Sequence, residues 1–372
     1  MGGRAMRKAV SLPEEVLSEL YRCFRCGLCR SACPTFAVKG SEGWNARGRL
    51  MMARYMAEGL LEPDEAFSDR LFSCNSCGAC EVVCPAGVKV ADALRAVREA
   101  LLGAGISPPG KVAELAKAIL EHGNPWSKEV ARRPTDEKKP ILVFTGCVAS
   151  ELEPGIVKAV EKVLEASGLS YSVLEGPCCG FPLFKMGLRE EARRAAEALA
   201  GELKAAGPKL VITPCPGCTE MLERYFPALT GLKVQVEHAT VFFRRLLREG
   251  RLVLKRKVEL KAAYHDPCVL ARSLGIYEAP RELLWQSGLV LAEMEANRQM
   301  TGCCGYGQLG FLTYPDLAEA MAKRRVEEAL RTGADVLVTA CPSCLHAFSE
   351  AVKEVARSLA VSDITEVLAE LV

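Results

Sequence analysis

Two stretches of this 372-residue chain carry the same run of cysteines: Cys23-x-x-Cys26-x-x-Cys29-x-x-x-Cys33-Pro34 and Cys74-x-x-Cys77-x-x-Cys80-x-x-x-Cys84-Pro85. No other feature restricts the fold so tightly. Three thiolates at this spacing wrap one face of a cubane, and the fourth, ahead of proline, reaches the neighbouring cluster. The runs therefore predict two [4Fe–4S] cubane clusters with exchanged fourth ligands. Cys23, Cys26, Cys29 and Cys84 belong to one, and Cys74, Cys77, Cys80 and Cys33 to the other. Gly27 and Gly78 are expected to let backbone approach the sulfides. Zinc is the competing occupant of paired CxxC sites. Two complete runs, each closed by Cys-Pro, favour iron and sulfide.

These eight cysteines are fewer than half of the 18 in the chain. A secreted protein could oxidise such a number to disulfides, but the start does not read as a signal peptide. Arg4, Arg7 and Lys8 are followed by Pro13, Glu14 and Glu15 where an apolar stretch would be needed. A reducing, cytoplasmic setting is expected, in which tight cysteine spacing means metal or redox chemistry. No window approaches 18 uninterrupted apolar residues, so no transmembrane segment is expected, although a partner could hold the chain at the inner face of a membrane. A net charge of +2 with scattered Lys and Arg argues against a nucleic-acid footprint.

Residues 1–104 read as helical between the cysteine runs. Ser11-Leu12-Pro13-Glu14-Glu15 is a helix start, and Arg47–Gly59 and Val90–Leu102 repeat apolar residues at helical spacing. A linker over 105–140 follows, marked by Pro108-Pro109-Gly110 and Pro134, with one short helix at Val112–Glu121. The pattern then changes. Ile141–Phe144, Tyr171–Leu174 and Leu210–Thr213 read as strands, separated by helices at Ile156–Ala166 and Arg189–Ala206. That alternation predicts βαβ units on a parallel sheet.

The order returns between Lys261–His265 and Val336–Ala340. Cys147, Cys178-Cys179-Gly180 and Cys215-x-x-Cys218 find counterparts in Cys268, Cys303-Cys304-Gly305 and Cys341-x-x-Cys344. The offsets are 121, 125 and 126 residues, the mark of an internal duplication. The expected division is a helical ferredoxin domain (1–104), a linker (105–140), a first α/β module (141–235), a connecting helix (236–260) and a second α/β module (261–372). The connecting stretch Glu237–Glu249 reads as a basic amphipathic helix with a solvated face.

Each module offers five thiolates, and the motif Cys…Cys-Cys-Gly…Cys-Pro-x-Cys resembles the cysteine-rich CCG domain of the heterodisulfide reductase family. The likeness extends to His265-Asp266-Pro267-Cys268, and with the N-terminal region it spans nearly the whole chain. A ferredoxin domain followed by two such modules is similar to the D-type subunit of heterodisulfide reductase, the glycolate oxidase iron–sulfur subunit and lactate-utilisation proteins. Trp44-Asn45-Ala46-Arg47-Gly48-Arg49 resembles a segment of the glycolate oxidase group. The resemblance implies a noncubane [4Fe–4S] cluster on the five cysteines of each module. Zinc, or no metal, in the first module is the alternative. A dithiol at Cys215-x-x-Cys218 competes less well, because the pair is partnered with a Cys-Cys-Gly.

Gly305-x-Gly307-x-x-Gly310 spells a dinucleotide fingerprint, but it follows Cys303-Cys304 rather than a strand, so no NAD or FAD is expected. Among the histidines, His265 is three positions from Cys268 near a strand's C-terminal end. It is a candidate catalytic proton donor or a group tuning the cluster, against a structural role in a turn. His346 reads as packing, His238 as a local cap or surface contact, and His122 as exposed. The whole implies an oxidoreductase subunit relaying electrons between a partner, an FAD-linked dehydrogenase or a membrane cytochrome, and a terminal acceptor. A small disulfide is a possible substrate.

Overall fold

Strands begin only after Pro140 among the described residues, and all run parallel, in two sheets of four. The computed structural model describes residues 10–126, 129 and 138–372. Arg4, Arg7 and Lys8, and Pro134 of the linker, lie outside the described residues. The first sheet holds β1 (Ile141–Phe144), β2 (Tyr171–Leu174), β3 (Leu210–Thr213) and β4 (Val236–His238) in the order β2-β1-β3-β4. The second holds β5 (Lys261–Tyr264), β6 (Val290–Glu293), β7 (Val336–Thr339) and β8 (Ala360–Asp363) in the order β6-β5-β7-β8. The two orders are the same, so the repeat read from cysteine spacing is a repeat of topology.

The strand pattern explains how each sheet buries both faces. Along β1, Leu142 and Phe144 enter one core while Ile141 and Val143 enter another, the two-residue alternation of a pleated strand. The first core joins this sheet to the N-terminal helices through Leu94, Val97 and Leu101. The second is shared by the two sheets, since Ile141 and Val143 belong to the same cluster as Ala262, Tyr264, Val336 and Val338. Ala263 and Leu337 turn to a third core under the helices Pro315–Arg331 and Pro342–Val355.

The connecting segment, expected to be a basic amphipathic helix with a solvated face, is such a helix over Ala239–Arg248 but is preceded by a strand. It opens with β4, which pairs with β3 through Val211–Val236. The helix Ala239–Arg248 that follows buries Phe242, Phe243 and Leu246 in the core between the sheets. Removing each such side chain from water is worth about 1.5–3 kcal/mol. The basic residues remain outside, with Arg245 paired to Glu237 and Arg248 to Glu282.

The N-terminal region is helical, with longer helices at Glu14–Arg22, Ala46–Ala57, Val90–Gly103 and Gly110–His122. The first of these starts two residues later than it would with Ser11 as its cap. Pro13 occupies the cap position and Ser11 stands outside. Asn45 caps the second helix by accepting from the Gly48 amide. Gly48 is required there, because an added Cβ would stand 2.0 Å from the Glu42 carbonyl oxygen. Short turns of helix at Cys29–Ala32 and Ala79–Val82 carry the cysteine runs.

Candidate metal centres

The two cysteine runs fold into matching loops. Arg25 and Ser76, each two residues after the first cysteine of its run, hold positive φ angles of 58° and 48°, and Gly27 and Gly78 follow at 88° and 75°. Left-handed pairs of this kind turn successive amides inward. Two small cavities result. Cys23, Cys26, Cys29 and Cys84 line the first, and Cys33, Cys74, Cys77 and Cys80 the second, with Cys80 also reaching the edge of the first. The fourth cysteine of each run therefore meets the other run's triplet, the exchanged grouping anticipated from spacing. Among the described residues no three His, Cys, Asp or Glu side chains draw together around one point. In the N-terminal sites the donor set is four thiols around each cavity, which fits a soft metal–sulfur group.

The surroundings of these cavities differ. The first lies at the surface, with Cys26 exposed and Phe24 and Leu28 uncovered beside it, Phe24 at 74% of its full exposure. Arg47 lies over its loop, where a Cβ on Gly27 would meet Nη1 at 2.7 Å, and is neutralised by Glu42 at 2.6 Å. Beside the second are two wholly buried arginines that spacing alone did not single out. Arg49 donates to Thr35 Oγ1, Ser73 Oγ and the Arg70 carbonyl. Arg98 donates to the carbonyls of Leu71, Cys74 and Lys185. Arg98 thereby ties the second cavity to the first α/β module.

In each α/β module the cysteines gather at the C-terminal ends of the two central strands. Cys147 follows β1 and Cys215 follows β3; Cys268 follows β5 and Cys341 follows β7. Neighbouring connections leave such a pair of strands in opposite directions, so a crevice opens there. The Cys-Cys-Gly loop closes over it. Gly180 and Gly305 hold φ of +85° and +88°, and an added Cβ would stand 2.8 and 2.4 Å from the carbonyl oxygens of Ala192 and Ala318. Only glycine satisfies both the left-handed backbone and the close approach of the long helix behind it.

The five thiols of each module then form a file in which each acts electrostatically on the next: Cys147–Cys178–Cys179–Cys218–Cys215 and Cys268–Cys303–Cys304–Cys344–Cys341. The Cys179–Cys218 and Cys344–Cys304 contacts are 3.6 and 3.3 Å. Thiols donating to Cys178 and Cys304 hold these two well below the usual range, while hydrogen bonding and burial push Cys147, Cys179, Cys218, Cys303 and Cys344 well above it. An all-sulfur set without a carboxylate fits a soft metal–sulfur group in both modules. Access differs: Cys147 and Cys215 are half-buried, whereas all five cysteines of the second module are buried.

His265 lies behind the second file with no exposed surface. Its ring meets Phe348 edge-on at 4.7 Å, Arg325 donates toward Nδ1 at 3.3 Å, and Nε2 has no partner. Burial, with Arg325 and Arg272 nearby, pushes its basicity well below the ordinary imidazole value. These surroundings oppose the expected role of proton donor to an incoming substrate. The adjacent Asp266 is held by Arg281 through two hydrogen bonds of 2.8 Å. His238 is a cap, as expected, but is buried rather than at the surface; its Nδ1 accepts from the Thr240 amide. His346, read as packing, pairs with Glu153 of the first module at 2.9 Å. The Gly305–Gly310 loop packs on the second ferredoxin-type loop, with Asn75 donating to the carbonyls of Gly305 and Gly307. Among the described residues no helix is long and apolar enough to cross a membrane.

Comparison with known proteins agrees with this architecture. The CCG cysteine-rich domain family matches residues 141–223 and 262–349, and the 4Fe-4S dicluster domain family matches 19–88. The chain is 33% identical to the D-type subunit of dihydromethanophenazine:CoB–CoM heterodisulfide reductase from Methanosarcina barkeri, over 95% of this chain and 94% of that protein. It is 25% identical to the probable glycolate oxidase iron–sulfur subunit of Bacillus subtilis, over 88% of each. A hypothetical protein from Helicobacter pylori shares the fold at a TM-score of 0.50 and 13% identity, over 76% of this chain and 57% of that one.

Proposed function

We propose a function from one premise: the chain belongs to the family of iron–sulfur oxidoreductase subunits that includes the D-type subunit of heterodisulfide reductase. It relays electrons from a redox partner, a flavoprotein or a membrane cytochrome, through the N-terminal sites into the two modules, where a small disulfide is reduced. The observation that carries this reading is the continuous succession of cysteine sites. It begins at exposed Cys26, passes to the second cavity, and reaches the second module where Cys77 packs in one cluster with Cys268 and Cys303.

Cys23, Cys26, Cys29 and Cys84 would hold one cubane, and Cys33, Cys74, Cys77 and Cys80 the other. The two files of five cysteines would each hold a noncubane [4Fe–4S] cluster. Iron–sulfur clusters, when bound, take up and release electrons singly. The chain's own residues do the rest. Exposed Phe24, Leu28 and Tyr21 offer the partner an apolar landing beside Cys26. Buried Arg49 and Arg98 fix the second cavity against both neighbours. Cys215 and Cys341 are close enough to interact electrostatically, so the files approach each other at these ends. The half-buried Cys147 and Cys215 make the first module the side a substrate meets. His265 acts as a positioning group behind Cys268.

The burial of all five second-module cysteines favours one other reading, a purely electron-transfer subunit of a 2-hydroxy-acid oxidase complex. Full-length protein purified without oxygen and given reduced viologen separates the two. The disulfide reading expects oxidation of viologen in step with loss of a low-molecular-weight disulfide. Full iron content, about sixteen Fe per chain for four clusters, with no disulfide consumed would leave only the relay.

A further inference from the structure

Arg272 sits where the ferredoxin region meets the second module, on a π-helical turn, Val269–Ser273, that begins directly after Cys268. Such turns widen a helix by one residue and redirect side chains, and they recur at functional positions. Here the turn sends the guanidinium across the interface. Nε donates to the Cys77 carbonyl at 2.6 Å, and Nη1 donates to the carbonyls of Gln299 and Thr301, two residues before Cys303. One side chain thus grips both cysteine-bearing loops. Cys77 packs in the same apolar cluster as Cys268 and Cys303, so the three sulfur-bearing residues converge beside it.

The remaining nitrogen is the telling one. Nη2 is out of contact with solvent and has no hydrogen-bond partner. Among the described residues no carboxylate lies within ion-pair distance of Arg272, in contrast to Arg47, which covers the first ferredoxin-type loop and is neutralised by Glu42. A buried, unpaired guanidinium nitrogen is costly unless negative charge compensates it. The nearby groups able to carry that charge are the sulfurs of Cys77, Cys80, Cys268 and Cys303, all of which act on Arg272 electrostatically.

We propose that Arg272 is the electrostatic link of an electron crossing between the second ferredoxin-type site, at Cys77, and the second cysteine-rich module, at Cys268 and Cys303. Its fixed positive charge favours the arrival of an electron on either side of the junction, since reduction adds negative charge there. Its two-sided grip holds the sites in one register. The crossing enters the second module, and the first receives electrons only beyond it. The proposal rests on the iron–sulfur reading above and assigns it a route.

The test is an EPR-monitored redox titration of the full-length protein, with iron and sulfide measured on each sample, for wild type, Arg272→Gln and Arg272→Lys. Arg272→Gln is expected to lower the one-electron reduction equilibrium of one N-terminal cluster at least tenfold, which is about 59 mV. Arg272→Lys, which keeps the charge, is expected to recover most of that shift. The signal of the surface cluster, on Cys23, Cys26, Cys29 and Cys84, stays where it is. Equal shifts in both variants would reduce Arg272 to packing, and unchanged potentials at full iron content would overturn the proposal. Iron-free wild type would instead overturn the reading beneath it.

Discussion

The two α/β modules share strand order, cysteine file and glycine turn, yet they support their first cysteine by opposite means. In the first module Phe144-Thr145-Gly146 precedes Cys147, and Thr145 shares a 2.6 Å hydrogen bond with Ser150. In the second, His265-Asp266-Pro267 precedes Cys268, and Asp266 anchors an ion network through Arg281 to Glu293. The first module's buried charge pair, Lys185 and Glu220 with the Tyr225 hydroxyl, joins the short helix after Cys179 to the one that carries Cys218, rather than lying beneath Cys147. Duplication therefore kept the scaffold of the sulfur site and left its electrostatics free to diverge. The module that is ionically locked is also the one whose cysteines are all buried. The module resting on hydroxyls is the more open.

The sharpest way to break this contrast is Asp266→Asn. It leaves Arg281 buried with half its compensation, and removing one member of a buried pair costs about 3–5 kcal/mol. Thr145→Val at the matching position removes two neutral hydrogen bonds, to Ser150 and the Leu174 carbonyl, each worth about 1 kcal/mol. Denaturant unfolding of both variants, followed without oxygen, measures the difference; similar losses would mean that the modules are supported alike after all.

Lys185→Met probes the first module's own charge. Glu220 is buried and would keep only the Tyr225 hydroxyl, so about 3 kcal/mol should be lost. The double variant with Glu220→Leu should recover most of it, because the uncompensated charge goes with its partner. A double-mutant cycle with no coupling would contradict this.

A smaller effect concerns the caps after the last strand of each module. His238 and Asp363 occupy the same place, each accepting from the amide of a threonine two residues on. Burial moves them in opposite directions: His238 is pushed down to about 4 and Asp363 up to about 7. The depressed His238 contributes stability that is present above its unfolded value near 6.5 and lost as pH falls through about 4. The raised Asp363 contributes stability that is present below its ordinary value near 3.8 and lost as pH rises through about 7. His238→Asn should therefore flatten the acid limb of the stability profile by roughly 2–3 kcal/mol, read from melting temperature between pH 6.5 and 4. An unchanged acid limb would place the protonated groups elsewhere.

Some of this architecture was legible in the sequence because it is local. The bounds of β1, β2 and β3 follow from short apolar runs between turn signals; β1 and β3 are central, and β2, at the edge, still buries Val173 and Leu174. The edge strands β4, β6 and β8 were not visible, since Val236-Glu237-His238, Val290–Glu293 and Ala360–Asp363 mix polar residues into half-exposed positions. The helix Ala239–Arg248 was visible as a helix but not as a core element, because its arginines dominate its composition while two adjacent phenylalanines decide its packing.

By itself, then, the sequence determined the number of the thiols, their spacing into two runs and two modules, and the repeat. Each is a matter of spacing along the chain, and spacing is what a local motif encodes. Only the tertiary structure decided which site faces which. Arg272 meets Cys77 across 195 positions, and Asn75 meets Gly305 across 230. No period or motif marks such pairs, because contacts between separately folded elements are set by how their cores pack. That packing brought the second module's sulfurs to the ferredoxin loop, left Cys147 and Cys215 in the first more open, and sealed His265 behind the very site it was expected to serve.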